Sequence, residues 1–281
     1  MAIEVVKLDE PMLAEVRGVD LTKPVPDEDR RAIYRAFVDH HVLAFRDQTL
    51  PPGQVVEVGR LFGDLQPHIT KKYWHPDYKD LIVMTNLNKD GQIDQLDSKR
   101  GVGWHTDMCY MEVPAKATML HTIRIPEVGG DTLFLNLYMA HDSMPQALRK
   151  RLEGLKATFR YGGRHTEDAK RLTDEDRARP PVAHPILRRV EDSGRTSIYC
   201  NPYHTIGIEG WEETAADDLL GEVYEWCRQD RFQARHRWRQ GDTVIWDNRC
   251  CWHSATGDNP LRQPREFYRA TVSGTVPVAA H

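Results

Sequence analysis

Short apolar segments dominate the chain from Leu81 onward. They are rich in β-branched and aromatic residues, and turn residues separate them. This pattern predicts strands at 81–85, 117–123, 132–135, 196–200, 243–246 and 267–272, after an earlier strand at 42–45. Many short strands with few helices predict a mainly β fold with helices, built on a double-sheet core.

Four segments have the periodicity and end signals of helices. Residues 27–37 begin with acidic side chains, and residues 51–62 begin with prolines and end before Gly63. Two further helices are predicted at 143–152 and 213–227. The stretch 164–181 is charged and poor in apolar residues, so we expect a loop or lid within a single domain spanning 1–281.

Composition excludes several classes of partner. The chain has 281 residues and a formal net charge of -4, which does not indicate a basic surface for nucleic acid. No apolar run approaches the roughly 18 residues of a membrane span, and the N-terminus lacks a secretory apolar stretch. The five cysteines form no CxxC pair, which favours reduced thiols. These features predict a cytoplasmic protein that binds neither nucleic acid nor membrane.

Two His-x-Asp sequences are candidate metal sites, His105-Thr-Asp107 and His75-Pro-Asp77. In an extended strand, side chains two residues apart project to the same face, so an imidazole and a carboxylate can reach one ion. Two histidines and one carboxylate are the usual protein ligands of non-haem Fe(II). The spacing does not choose between the pairs, and a surface His with a solvated Asp also fits either one.

Three later features favour the first pair. Gly129-Gly-Asp-Thr132 follows it, His253 comes after the apolar segment at 243–246, and Arg265 and Arg269 lie beyond that histidine. Residues four apart on a strand share a face, and two guanidiniums there would repel each other without bound anions. Arginine suits bidentate binding of a carboxylate or sulfonate. Exposed arginines on an edge strand are the alternative.

With these motifs in order, the chain resembles the TauD/TfdA family of Fe(II)- and 2-oxoglutarate-dependent dioxygenases. The resemblance runs from Arg17-Gly-Val-Asp-Leu to Ala270-Thr-Val-Ser-Gly and includes Trp104-His-Thr-Asp and Trp246-Asp-Asn-Arg. It implies a double-stranded β-helix (jelly roll) core with helical insertions. It also implies a homo-oligomer, either a dimer or a tetramer.

The resemblance assigns roles to the motif residues. His105, Asp107 and His253 would be the iron ligands, and Thr132 and Arg265 would hold the distal carboxylate of 2-oxoglutarate. The implied reaction is hydroxylation of a small anion by O2, with release of succinate and CO2. Fe(II) and 2-oxoglutarate are the implied cofactor and cosubstrate, and ascorbate is the expected reductant in vitro.

Signals for the substrate disagree. Arg269 is expected to face its anionic group. His68 matches the position where taurine-type members use a histidine on the sulfonate, whereas Lys71 resembles a lysine of the herbicide-type members. The segments around 85–91 and 246–250 look more like the herbicide type. We therefore expect an aryloxyalkanoate-like or other small carboxylate first, with ether cleavage where an ether carbon is hydroxylated, and a taurine-like alkylsulfonate second.

Two other classes would use the same residues. A metal-dependent hydrolase could use two histidines and a carboxylate on zinc, but it needs a general base, and the sequence has no HExxH. A non-catalytic jelly-roll binding protein would not explain the metal ligands together with Arg265 and Arg269. Among the remaining histidines, His121 is expected to be a satisfied core residue, and the segment ending at His204 could line the pocket mouth.

Overall fold

A computed structural model describes residues 3–9, 11–94, 101–164, 166, 169, 172–260 and 263–280. Within these ranges the α-helices are α1 Asp27–His40, α2 Pro52–Arg60, α3 Leu137–Asp142, α4 Gln146–Leu152, α5 Asp174–Ala178 and α6 Glu213–Cys227. The strands are β1 Glu4–Lys7, β2 Ala14–Arg17, β3 Val42–Phe45, β4 Leu81–Thr85, β5 Ala115–Arg124, β6 Thr132–Asn136, β7 Lys156–Phe159, β8 Val182–Pro185, β9 Leu187–Arg189, β10 Thr196–Ile198, β11 Thr205–Ile208, β12 Gln233–His236, β13 Thr243–Asp247, β14 Cys251–Ala255, β15 Glu266–Ser273 and β16 Val278–Ala279.

Two facing sheets form the centre of the molecule. The main sheet has seven strands in the order β1-β2-β3-β13-β5-β15-β4, and all its pairs are antiparallel except β2 with β3. The minor sheet has the order β12-β6-β14. Leu120 and Trp246 of the main sheet pack with Phe134 of the minor sheet, so the inner faces share one apolar core. The prediction of a mainly β fold is confirmed.

Strand alternation separates the inner core from two outer cores. On β5, Ala117 and Met119 point away from the minor sheet and pack against α1 and α2. On β14, Trp252 likewise points outward into a core with α3, α4 and α6. His253, its neighbour, therefore points inward between the two sheets.

The predicted elements agree with the structure to different degrees. The strands at 42–45 and 81–85 and the helix at 213–227 have the observed bounds. The helix predicted at 143–152 corresponds to α4, which begins at Gln146 and ends at Leu152, whereas α3 at Leu137–Asp142 was not predicted. In the stretch 164–181, α5 has a capping box between Thr173 and Asp176. Residues 165, 167, 168, 170 and 171 lie outside the described ranges, so the lid stays a prediction.

Two further features concern the whole chain. All five cysteines are buried and free. No helix within the described ranges combines the length and the apolar character needed to cross a bilayer.

Candidate active site

The segment before Asp107 lies against β14, an edge strand of the minor sheet. His105 and His253 exchange two backbone hydrogen bonds, of 3.0 and 2.9 Å. The segment forms isolated bridges to β14 and not the continuous strand that the spacing argument assumed. Gly101 and Gly103 have φ of 79° and 109°, outside the β region, which explains the interruption. Local pairing still brings His105 and Asp107 to the same side.

His105, Asp107 and His253 converge on one point. Their ligand atoms all lie within 4.8 Å of one another, and within the described ranges this is the one group of three or more such side chains. Nε2 of His105 is 3.8 Å from Oδ1 of Asp107, and Nε2 of His253 is 3.4 Å from Oδ2. The sequence-predicted ligand set is thus brought together, with two imidazoles and a carboxylate at ligating separations.

The protonation states of these groups fit a divalent metal. Nδ1 of His105 lies 2.7 Å from the carbonyl oxygen of Gly103, to which it can donate, and this leaves Nε2 with its lone pair toward the cluster. Burial is the main cause that lowers the pKa of His253 well below its usual value, and the nearby His105 acts in the same direction. The low pKa favours the neutral form, which can ligate a metal. Two neutral imidazoles and one carboxylate match the donor set of non-haem Fe(II).

Asp107 is held ionised by its surroundings. Burial alone would raise its pKa, but the Arg269 guanidinium, with a hydrogen bond from Thr118, holds the pKa well below the usual range. Arg269 Nη2 is 2.9 Å from Oδ1, and Thr118 Oγ1 donates to Oδ2 at 2.7 Å. Asn248 donates to the Thr118 hydroxyl and accepts from the backbone of Asp107. The sequence motifs did not identify Thr118 and Asn248 in these roles.

The alternative pair, His75 and Asp77, faces away from this cluster. The His75 ring packs on Tyr78 and on Tyr268. Tyr268 neighbours Arg269 on β15 and so points to the opposite face of the sheet, where it packs against the α1 and α2 core. Nδ1 of His75 accepts a hydrogen bond from the backbone of Asp77. The structure therefore separates the two matches that spacing alone left open.

Arg265 lies where a bound anion would complete its interactions. It directly precedes β15, its Nε donates to the carbonyl oxygen of Gly130 at 3.2 Å, and its guanidinium carbon is 4.6 Å from the Phe267 ring centroid. Burial lowers its pKa to about 10, although Asp131 acts in the opposite direction. Among the described residues Arg265 forms no ion pair. A partly buried guanidinium without a carboxylate partner fits an anion-binding role.

Thr132 begins β6 two residues after Gly130. Its Oγ1 accepts a hydrogen bond from the indole Nε1 of Trp238 at 3.0 Å. Gly130 thus links the Thr132 segment to Arg265 through one backbone carbonyl. The sequence predicted Thr132 and Arg265 but did not identify Trp238.

The three predicted substrate residues occupy different environments. Arg269 pairs directly with Asp107, and its Nε is buried without a hydrogen-bond partner among the described residues. Nδ1 of His68 accepts from the Thr70 backbone, and Lys71 Nζ lies 5.9 Å from the Trp74 ring centroid. Trp74 bridges Ile82, the register partner of Arg269, so the segment of His68 and Lys71 borders the β4 edge.

Aromatic rings lie around His105 and His253. The ring centroids of Tyr203 and His204 are 5.6 and 6.1 Å from that of His105, and Tyr110 packs on His204 at 5.0 Å. Burial is the main cause that lowers the pKa of His204 to about 3, and the neighbouring His105 acts in the same direction. His204 is therefore neutral. Trp246 lies 4.6 Å from the His253 ring. The segment ending at His204, which was expected to line the pocket mouth, lies directly beside His105.

Comparisons with known proteins agree with this arrangement. A family model described as "Taurine catabolism dioxygenase TauD, TfdA family" matches residues 4–271. The chain belongs to this family. The alpha-ketoglutarate-dependent 2,4-dichlorophenoxyacetate dioxygenase of Cupriavidus pinatubonensis is 33% identical over 275 residues, which cover 92% of this chain and 93% of the relative. The alpha-ketoglutarate-dependent sulfate ester dioxygenase of Pseudomonas putida is 29% identical and covers 94% of this chain and 87% of its own length.

A solved structure matches the whole fold. AAD-2 in complex with Mn(II) and N-oxalylglycine has a TM-score of 0.84 and 25% identity, with 100% of both chains covered. The predicted jelly-roll core is thereby confirmed. The reaction class is confirmed as well: the chain is an Fe(II)- and 2-oxoglutarate-dependent dioxygenase that uses O2. The hydrolase and the non-catalytic binding protein are disfavoured by the same findings.

Proposed function

We propose that this dioxygenase hydroxylates an aryloxyalkanoate-like or other small carboxylate on an Fe(II) held by His105, Asp107 and His253. The observation that carries the proposal is the buried cluster of these three side chains, with the Arg269 cation at its edge. Bound Fe(II) would activate O2, and 2-oxoglutarate would supply electrons and leave as succinate and CO2.

The chain's own residues position the reactants. Arg265 and Thr132 hold the distal carboxylate of 2-oxoglutarate, because a guanidinium without a carboxylate partner and a hydroxyl suit that group. Thr118 and Arg269 keep Asp107 ionised and oriented. Arg269 retains further N–H donors, including its buried Nε, for the carboxylate of the primary substrate.

The surroundings of His105 favour an aryl group. Tyr110, Tyr203 and His204 present aromatic rings on this side of the cluster. Aromatic walls bind flat apolar rings through offset or edge-to-face contacts. The 33% identical relative is named for 2,4-dichlorophenoxyacetate, a carboxylate with an aryl ether.

An alkylsulfonate is the second candidate. Nδ1 of His68 already accepts a hydrogen bond, so a neutral His68 carries its proton on Nε2 and can donate from there. A sulfonate would use that donor together with Arg269. Lys71, which is exposed beside Trp74, would act on a carboxylate in the first candidate.

A substrate panel tests the assignment. Aryloxyacetates, 2-aryloxypropionates, alkylsulfonates and alkyl sulfates would be compared by the succinate formed with Fe(II), 2-oxoglutarate and ascorbate. We expect the highest turnover with the aryloxy carboxylates. Exclusive turnover of alkylsulfonates would contradict the first candidate and support the second.

Variants test the residues. Asp107→Ala and His105→Ala should abolish succinate formation, whereas His75→Ala should keep it, because His75 faces away from the cluster. Arg265→Ala should mainly raise the concentration of 2-oxoglutarate that is needed for turnover. Arg269→Ala should weaken binding of the primary substrate and increase the amount of succinate that forms without hydroxylated product. Loss of activity in His75→Ala and not in His105→Ala would overturn the ligand assignment.

Three other features belong to the proposal. The homodimer or homotetramer implied by the family, the lid at 164–181 and the cytoplasmic location stay predictions. Size-exclusion chromatography with light scattering checks the first, and limited proteolysis with and without substrate checks the second.

A further inference from the structure

Trp238 is a half-buried aromatic residue with no role in the proposed reaction so far. It lies between β12 and β13, and its Nε1 donates to the Thr132 hydroxyl at 3.0 Å. An indole N–H can only donate, so the Thr132 oxygen must be the acceptor of this bond. The single Thr132 proton is then left to point elsewhere. Among the described residues, the Thr132 hydroxyl has no second hydrogen-bond partner.

The same indole also contacts the support of Arg265. The Trp238 ring lies 4.7 Å from the Phe267 ring, and the Arg265 guanidinium carbon lies 4.6 Å from that ring. Thr132 belongs to the minor sheet and Phe267 to the main sheet. Trp238 therefore spans the gap between the two sheets at the position where the two expected carboxylate-binding residues approach each other.

The backbone around Trp238 is fixed. The Asp242 carboxylate lies 3.0 Å from Nε2 of His236 and accepts from the backbone N–H of Arg239 at 2.7 Å. Asp242 also pairs with Arg46, and it is fully buried. The His236 ring meets the Trp238 ring edge-on at 4.7 Å. These contacts on both sides hold the indole in one orientation.

We propose that Trp238 is a positioning residue for 2-oxoglutarate. By occupying the acceptor side of Thr132, it aims the hydroxyl proton at the distal carboxylate, and through Phe267 it supports the Arg265 guanidinium that meets the same group. The inference rests on the proposed roles of Thr132 and Arg265. Trp238 itself touches neither the metal ligands nor the reacting atoms.

The test compares binding of two keto acids at equilibrium. Trp238→Phe keeps an aromatic ring for packing but removes the N–H donor. Titration calorimetry of the Mn(II)-loaded protein would use 2-oxoglutarate and 2-oxobutyrate, which lacks the distal carboxylate. We expect Trp238→Phe to weaken 2-oxoglutarate binding by about fivefold to tenfold, the scale of one hydrogen bond between neutral groups, and to leave 2-oxobutyrate binding unchanged.

Two further variants separate positioning from packing. Trp238→His keeps an N–H at the same ring position, since Nε2 of imidazole corresponds to Nε1 of indole, and it should recover part of the lost affinity. Trp226→Phe is the matched control, because Trp226 donates its N–H to Ala140 at 2.8 Å, outside the site. It should bind both keto acids like the unchanged protein. Trp238→His also covers the case in which Trp238→Phe does not fold.

A double mutant shows whether Trp238 acts through Thr132. With Thr132→Val, the hydroxyl is gone, so Trp238→Phe should then weaken 2-oxoglutarate no further. Three outcomes would overturn the inference. They are additive losses of affinity in the double mutant, equal losses for the two keto acids, and unchanged 2-oxoglutarate binding in Trp238→Phe. Failure of the unchanged protein to bind 2-oxoglutarate would overturn the proposed function along with it. Normal binding there with no effect of Trp238→Phe would overturn only the role of Trp238.

Discussion

At the scale of single residues, Asp107 depends on a hydrogen-bond partner outside the proposed set of metal ligands. Thr118 donates to Oδ2 of Asp107 at 2.7 Å and is itself oriented by Asn248. Hydrogen bonds of this kind fix the ligating oxygen, and their loss typically lowers metal affinity by about 10- to 100-fold. We expect Thr118→Val to weaken Mn(II) or Fe(II) binding by at least about tenfold, as measured by competition with a chromophoric chelator. Thr118→Ser keeps the hydroxyl and should bind nearly normally; equal affinity of the Val and Ser variants would contradict this role.

His121 is another residue whose environment has a measurable consequence. Its Nε2 accepts from the Leu50 backbone and its Nδ1 lies 2.8 Å from the Thr243 hydroxyl, which confirms a satisfied core histidine. Burial lowers its pKa to about 4. Between that value and the unfolded value near 6.5, the unfolded chain binds more protons, so stability is full above about pH 6.5 and falls as the pH drops toward 4. This single residue contributes on the order of 2–3 kcal/mol to that fall.

Urea unfolding between pH 7 and pH 4.5 measures the His121 contribution. His121→Gln cannot titrate in this window, and its amide oxygen can still accept from Leu50. We expect the free energy of unfolding of His121→Gln to fall less steeply with acidification than that of the unchanged protein. Parallel pH profiles for the two proteins would show that His121 does not contribute.

The site residues that the sequence predicts lie in local motifs, whereas those that it missed are placed by the pairing of distant strands. His105, Asp107, His253, Thr132 and Arg265 lie in ordered local motifs, so the sequence predicts them. Thr118 and Asn248 reach Asp107 only because β5 and β13 pair in one register, and a slip of one residue would turn Thr118 to the helical face. That register is a property of the assembled sheet, which no local motif records.

At the scale of elements, the turn before β6 places Arg265. Gly130 has φ of 69°, and a Cβ there would lie 3.2 Å from Arg265 Nε. Gly130→Ala combines backbone strain of about 1–2 kcal/mol with displacement of that guanidinium. We expect a KM for 2-oxoglutarate about tenfold higher, with kcat changed less. Gly194→Ala is the matched control, because its φ is 68° and its Cβ would meet nothing within 4 Å.

Steady-state kinetics and thermal melting of the two glycine variants are measured together. Both should lose stability through the same backbone penalty, and Gly130→Ala should lose more, because its Cβ would also crowd atoms at 3.2 Å. Only Gly130→Ala should change the KM for 2-oxoglutarate. A changed KM in Gly194→Ala, or an unchanged one in Gly130→Ala, would show that the turn does not position Arg265.

Elements with strong local signals were predicted closely, and short paired strands were not. The apolar stripe of α6 and the fully buried β3 leave little choice of structure. Strands β7 to β9 and β11 have three or four residues each and include lysine, proline, arginine or glycine, so they depend on their partners in small three-stranded sheets. The start of α3 had a usable signal, because Asn136 caps the backbone N–H groups of Tyr138 and Met139.

At the scale of the whole molecule, a buried charge network connects the main sheet to an outlying one. Arg249 lies in the turn between β13 and β14, just before the strand that carries His253. Its guanidinium pairs with Asp247 at the end of β13 and with Glu191 and Asp192 beyond β9. Asp192 also accepts from the Tyr34 hydroxyl on α1. One cation thus ties three parts of the fold to the turn that precedes the strand of His253, a proposed metal ligand.

Removing that cation should destabilise the whole fold. Arg249 is 3% exposed, and Arg249→Met would keep most of its volume while removing a counter-charge from Asp247, Glu191 and Asp192. Breaking a buried ion pair from one side costs about 3–5 kcal/mol. The matched control is Arg151→Met, since Arg151 pairs with Glu222 on the surface and such pairs contribute at most about 1 kcal/mol. Urea unfolding at pH 7 should show the large loss only for Arg249→Met, and a single transition would indicate that both sheets unfold together. Equal, small losses in the two variants would mean that the network is not needed to hold the sheets together.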